Sequence, residues 1–83
     1  MGEIRVLGVL VSERTKAAQQ VQEVLTRYGC SVRNRLGLNE LELENCKDCG
    51  LILLELTGDV NEAIRLENEL WSIEGVKVQK MVF

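Results

Sequence analysis

The chain has 83 residues, 46% of them hydrophobic and 28% charged, with 7 Gly and no Pro; it fits one domain over residues 1–83, with no linker or low-complexity tract. The 10 Lys and Arg against 13 Asp and Glu leave a net charge of −3, which opposes a nucleic-acid backbone and makes direct nucleic-acid binding disfavoured. There is no run of 18 apolar residues to span a bilayer and no basic, cleavable leader in MGEIRVLGVLVSER, so the expectation is a cytoplasmic protein without a membrane partner.

Ile4 to Val11 is β-branched and aliphatic and reads as a first strand, with Ile4, Val6 and Leu10 on one face and Leu7, Val9 and Val11 on the other. Ser12 is a candidate N-cap for a helix whose apolar stripe is Ala17, Val21, Val24, Leu25 and Tyr28, ending at Gly29. Lys16, Gln19, Gln20, Gln22, Glu23 and Arg27 form its solvated side. Ser31 to Leu38 alternates as a second strand, with Val32, Leu36 and Leu38 on one face and Arg33 and Arg35 on the other. Leu41 and Leu43 fall on the opposite parity from Leu36 and Leu38, which predicts a bulge or turn near Asn39, followed by a strand extension or loop over 40–49.

The most continuously apolar short run is GLILLELT, Gly50 to Thr57. Bounded by glycines and too short for a typical helix, it reads as the buried strand around which the others are arranged. Asp59 and Glu62 have the spacing of a capping box, and Ala63, Leu66, Leu70 and Ile73 make a helical stripe ending at Gly75. Trp71, beside Leu70 on this helix, is expected in the core. Val76 to Phe83 closes the chain as a strand, with Val76, Val78 and Val82 alternating against Lys77, Gln79 and Met81.

The order strand, helix, strand, strand, helix, strand is that of an α+β, ferredoxin-like βαββαβ sandwich, a four-stranded antiparallel sheet with two helices on one face and the first and third strands in the middle. If Ile52, Leu54 and Leu56 lie under the helices, then Leu51, Leu53 and Glu55 lie on the open face. Leu7, Val9 and Val11 are expected beside them, with Arg33 and Arg35 on the fringe. A domain of this size buries only roughly 60–65% of its unfolded surface, so an open apolar face favours association. The expected partner is a second copy of the chain, as a dimer or tetramer through sheet face or edge. The fringing charges would pair across that interface or hold an anionic ligand.

Little here resembles catalytic chemistry. With no His, a single chain assembles neither a Ser-His-Asp triad nor a Cys-His pair, and GxGxxG and GxxxxGK[ST] are both absent; the chain is expected not to be an enzyme. The one chemical motif is the CxxC of Cys46 and Cys49, half of a zinc or iron site, whose remaining candidate ligand, Cys30, lies at the far end of the second strand. Two reduced thiols without special function, metal or iron-sulfur binding with zinc or iron as cofactor, and a redox switch all fit this pair.

The framework IRVLGVLVSERTKAAQQVQEVLTRYG, then VRNRLGL, then GLILLELTGDVNEAIRLENELWSIEGVKVQKM, resembles the family of regulators of the iron-only hydrogenase system over nearly the whole chain. Its most telling pieces are Arg35 to Gly37 and Ile73 to Val78. The resemblance implies an ACT-like fold similar to the ligand-binding domain of nickel-responsive repressors, assembly through the sheets, and a regulatory role, including transcriptional regulation, exerted through a small ligand or protein partner. Two departures qualify it. This sequence carries no ribbon-helix-helix DNA-binding arm and none of the repressors' His ligands, so no nickel site is carried over. Where amino-acid-binding ACT domains place a Gly after the first strand, it has Ser12, Glu13, Arg14 and Thr15.

Overall fold

The computed structural model describes residues 3–12, 14–38 and 50–83. Four strands, β1 (Arg5–Val11), β2 (Val32–Leu38), β3 (Gly50–Leu56) and β4 (Val76–Val82), form one sheet in the order β2-β3-β1-β4. Every neighbouring pair is antiparallel. Helices α1 (Arg14–Arg27) and α2 (Val60–Trp71) make the two crossovers, which gives the ferredoxin-like arrangement with β1 and β3 inside.

The core lies between the helices and one face of the sheet. Leu7, Leu54, Leu66 and Leu70 are completely shielded from solvent, and Val9, Val11, Ala17, Val21, Val24 and Val78 pack with them. Each helix contributes the stripe that its 3.6-residue period predicts: Ala17, Val21, Val24 and Leu25 from α1, and Ala63, Leu66 and Leu70 from α2. Trp71 departs from expectation, being 49% exposed. One position after Leu70, it is turned about 100° away from the buried stripe.

The ends of α2 are set by local chemistry. The Asp59 carboxylate accepts a hydrogen bond from the Asn61 amide at 2.8 Å, satisfying one of the otherwise unpaired first-turn donors. The other half of the predicted capping box is used differently, because Glu62 accepts from Arg65 at 2.9 Å. Gly58 and Gly75 flank the helix with φ of 84° and 86°, a left-handed geometry that glycine adopts without a Cβ clash. The Ser12 amide and hydroxyl both donate to the Gly75 carbonyl, at 2.8 and 2.7 Å, joining the end of β1 to the turn before β4. Replacing Asp59 with Ala is expected to cost about 1 kcal/mol through loss of the cap; urea unfolding monitored by circular dichroism measures it.

The register of β2 departs from simple alternation. It shifts at Arg33, so Val32 pairs with Leu56 and packs on the core, whereas Leu36 pairs with Leu53 on the opposite face. An extra residue in one strand reverses which face the following residues present. The bulge therefore lies at the start of β2. The one predicted near Asn39, and the segment 40–49, lie outside the described residues.

Candidate functional site

The face of the sheet away from the helices is covered by nothing in the described chain. Residues directly opposite each other in antiparallel strands share a face, so the pairings Val6–Glu55, Gly8–Leu53 and Leu10–Leu51 place all six residues there. Leu36 and Asn34 extend this face onto β2, and Met81, Gln79 and Lys77 extend it onto β4. Its centre is aliphatic, from Val6, Leu10, Leu51 and Leu53, while Asn34, Glu55, Gln79 and Lys77 form polar margins. The Asn34 amide donates to the Glu55 carboxylate at 2.6 Å. Gly8 leaves the middle flat: a Cβ built there would sit 3.8 Å from Leu53 Cδ2.

Leu51, Leu53 and Glu55 thus occupy the open face, but Leu7, Val9 and Val11 do not. The register sets Leu7 opposite Leu54 and Val9 opposite Ile52, beneath the helices. All three are core residues, at most 3% exposed. Both faces of β1 are aliphatic, so composition could not choose between them, and only the pairing with β3 does. The residues of β1 on the open face are Val6, Gly8 and Leu10.

The two arginines expected at the fringe are separated from this face and from each other. Arg35 pairs opposite Leu54 and lies on the helix side, where its Nη1 donates to Gln22 Oε1 at 3.0 Å. There it borders a cleft of about 220 Å³ between α1 and β2, lined also by Val11, Ala18, Gly37, Gly50 and Ile52. Among the described residues, Arg35 is the only charged one lining it. Arg33 borders a different cleft, of about 290 Å³, at the end of the sheet beside the start of α2, together with Arg5, Glu3 and Glu55. Among the described residues, two guanidinium groups there face two carboxylates, which balance in charge. The first cleft is the better candidate for a small anion with an apolar body, because among the described residues the one charge overlooking its aliphatic floor is a cation.

Two contributors were not singled out in the sequence. Gln22, placed with the solvated side of α1, orients Arg35; the only available signal was its position one residue after Val21, at the border of the stripe. Arg5 occupies the buried parity of β1 and is 8% exposed. It is held by Glu3 at 2.6 Å and lies 3.7 Å from Glu67, which in turn lies 3.6 Å from Lys80. An arginine in phase with Leu7, Val9 and Val11 is itself a sign that a carboxylate must come to meet it.

Between the helices, Tyr28 and Glu69 are coupled. The hydrogen bond to Glu69 is the main cause that raises the Tyr28 phenol above its ordinary pKa, with burial and the Glu69 charge adding to it. The same hydrogen bond, aided by Arg27 at 2.7 Å and opposed by burial, holds Glu69 below its ordinary value. A carboxylate depressed in the folded state stabilises above its unfolded pKa, and that contribution is lost as pH falls through the folded value. A phenol raised in the folded state contributes below its unfolded pKa and ceases to do so as pH rises through the folded value. Thermal melts from neutral pH down to about pH 3 are therefore expected to show a steeper decline for the native chain than for Glu69→Gln. The difference will be small because both groups meet solvent.

Among the described residues no group of three or more His, Cys, Asp or Glu is placed to hold a metal, and Cys30 is a free, exposed thiol. Cys46 and Cys49 lie outside the described residues. No helix among the described residues is long and apolar enough to cross a membrane.

The sheet order, the two crossovers and the uncovered face define an ACT-like member of the ferredoxin-like folds. An uncharacterised protein from Thermotoga maritima is similar over 99% of both chains, with 25% identity and a TM-score of 0.82. The ACT domain of a GTP pyrophosphokinase from Chlorobium tepidum matches 94% of this chain and 96% of its own, at 11% identity and a TM-score of 0.71. A PII-like nitrogen regulatory protein from Thiomonas intermedia, in its complex with ADP, AMP and bicarbonate, matches 99% and 89%, at 13% identity and a TM-score of 0.53. No family model and no curated protein sequence matches the chain.

Proposed function

We propose that this chain is a small regulatory, ligand-binding module rather than an enzyme, that it works as a homo-oligomer packed through its open sheet face, and that its setting is the iron-only hydrogenase system. The observation that carries the reading is the uncovered face itself: Val6, Leu10, Leu51 and Leu53 form an aliphatic centre within polar margins, the pattern of a protein interface. The resemblance of VRNRLGL and IEGVKV to the hydrogenase-system regulators supports the finer part, and the ACT-like fold is compatible with it. The Arg35 cleft is the place for a small anionic ligand. Regulation would follow from a difference in that ligand's affinity for two assembly or partner-binding states, since equal affinity shifts no population.

Native mass spectrometry on protein purified without oxygen tests the reading. A dimer or tetramer free of metal is the expected spectrum, and a monomer at micromolar concentration overturns it. The CxxC supports a second reading, a metal or iron-sulfur protein using Cys46 and Cys49. That reading requires zinc, iron or iron-sulfide mass in fixed ratio to subunits, lost in the Cys46→Ser, Cys49→Ser double variant.

A further inference from the structure

The register of β2 ties the α1–β2 cleft to the open face. Because the strand carries an extra residue at Arg33, Asn34 lies opposite Glu55, Arg35 opposite Leu54, Leu36 opposite Leu53 and Gly37 opposite Ile52. This one shift has two consequences. Leu36 is turned outward and is 55% exposed. The position across from the partly buried Ile52 falls to a glycine, and among the described residues its missing side chain leaves room for the cleft, which Gly37 and Ile52 both line.

Without the extra residue the same strand fits its neighbour in a second way. Val32 stays opposite Leu56, and beside it the Thr57 amide donates to the Ser31 carbonyl at 2.8 Å, which anchors the start of the strand. Counting on from that anchor, Arg33 comes opposite Glu55, Asn34 opposite Leu54, Arg35 opposite Leu53 and Leu36 opposite Ile52. A slip of one residue moves every side chain to the other face. In this straight register Leu36 fills the cleft beside Ile52, Arg33 and Glu55 meet as opposite charges across the strands, and Arg35 joins the open face. The alternation of Val32 and Leu36 with Arg33 and Arg35 suits it. Asn34 does not, because its amide is turned toward Leu54, which is completely shielded from solvent. In the bulged register Asn34 instead donates to Glu55 at 2.6 Å and Arg35 to Gln22 at 3.0 Å. Each register therefore has one misfit, an exposed Leu36 or an inward Asn34. β2 is an edge strand bonded to β3 alone, so exchange between them breaks a single ladder.

We infer that β2 is a two-register switch through which occupancy of the cleft controls the open face. A ligand in the cleft and the Leu36 side chain claim the same space, so a ligand binds only the bulged register and draws the population to it. That register adds Leu36 to the aliphatic face. The straight register sets Arg35 beside Leu53 there, where packing a second copy would bury a guanidinium. The switch rests on the proposed assembly through the open face and on the proposed ligand place at Arg35, and it supplies the physical link between them.

Cysteine pairs within one chain report the register, in a background carrying Cys30→Ser, Cys46→Ser and Cys49→Ser. Leu36→Cys and Leu53→Cys are directly opposite in the bulged register. Leu36→Cys and Ile52→Cys are opposite only in the straight one, because in the bulged one they point to different faces. In a glutathione buffer the first pair is expected to close rapidly and the second slowly, as read by peptide mass mapping without reduction. Asn34→Val, which removes the misfit of the straight register, is expected to speed closure of the second pair about tenfold or more. Deleting Arg33 makes the bulged faces those of a regular strand and is expected to stop it. An Ile52→Cys pair that stays open in the Asn34→Val chain, or closes equally in the Arg33-deleted chain, overturns the inference. Native mass spectrometry without the paired cysteines reads the coupling: the Arg33-deleted chain is expected to keep the oligomer and the Asn34→Val chain to shift toward monomer. Equal oligomer masses alongside a shifted register overturn the switch. A monomeric parent chain removes the assembly reading instead, and the trapping, being within one chain, still decides the register.

Discussion

Leu53→Glu is expected to disrupt the proposed assembly through the open face while leaving the fold intact. Leu53 lies beside Gly8 on the face that no described element covers, so in the isolated chain a carboxylate there is expected to meet water. In the assembly the same carboxylate would be buried against the partner's leucines. Losing a buried leucine forfeits about 1.5–3 kcal/mol, and burying an unpaired charge adds to the cost. Each tenfold change in affinity corresponds to about 1.4 kcal/mol, so a weakening of about 100-fold or more follows from one substitution, with two-fold symmetry applying it twice. Native mass spectrometry reads the mass and circular dichroism the fold. An unchanged oligomer mass in a folded Leu53→Glu chain would remove the open face from the assembly.

Leu7→Ala is expected to do the reverse, reducing stability by about 2–5 kcal/mol with no direct effect on association. Leu7 is fully buried opposite Leu54, so the deleted atoms leave a cavity under the helices. An 83-residue domain has a total of only about 4–12 kcal/mol at 0.05–0.15 kcal/mol per residue. The substitution thus removes a large share of it and should lower the urea midpoint markedly. Leu7 and Leu53 are both leucines on central strands, so contrasting outcomes would report nothing but the face that each occupies. If Leu7→Ala left the urea midpoint unchanged, the assignment of Leu7 to the core would fail.

The sequence by itself determined the element order, the inner position of β1 and β3, and the stripes of both helices. Those features follow from local periodicity: alternation writes the strands, the 3.6-residue repeat writes Ala63, Leu66 and Leu70 onto one side of α2, and Asp59 with Gly75 marks where the helix starts and where the chain turns after it. It also indicated that Leu54 and Leu56 lie inward and Leu53 outward. What it left open were facts of pairing. Both faces of β1 are aliphatic, so only hydrogen-bond register against β3 decides that Leu7, Val9 and Val11 face the helices while Val6 and Leu10 face out. The bulge at Arg33 likewise reverses the faces of β2, sending Arg35 to the α1 cleft, and no residue preference announces it. The exposure of Trp71 is decided by a turn of about 100° from Leu70. Faces, clefts and edges are properties of strands held against one another, and a single residue's neighbours in sequence do not carry them.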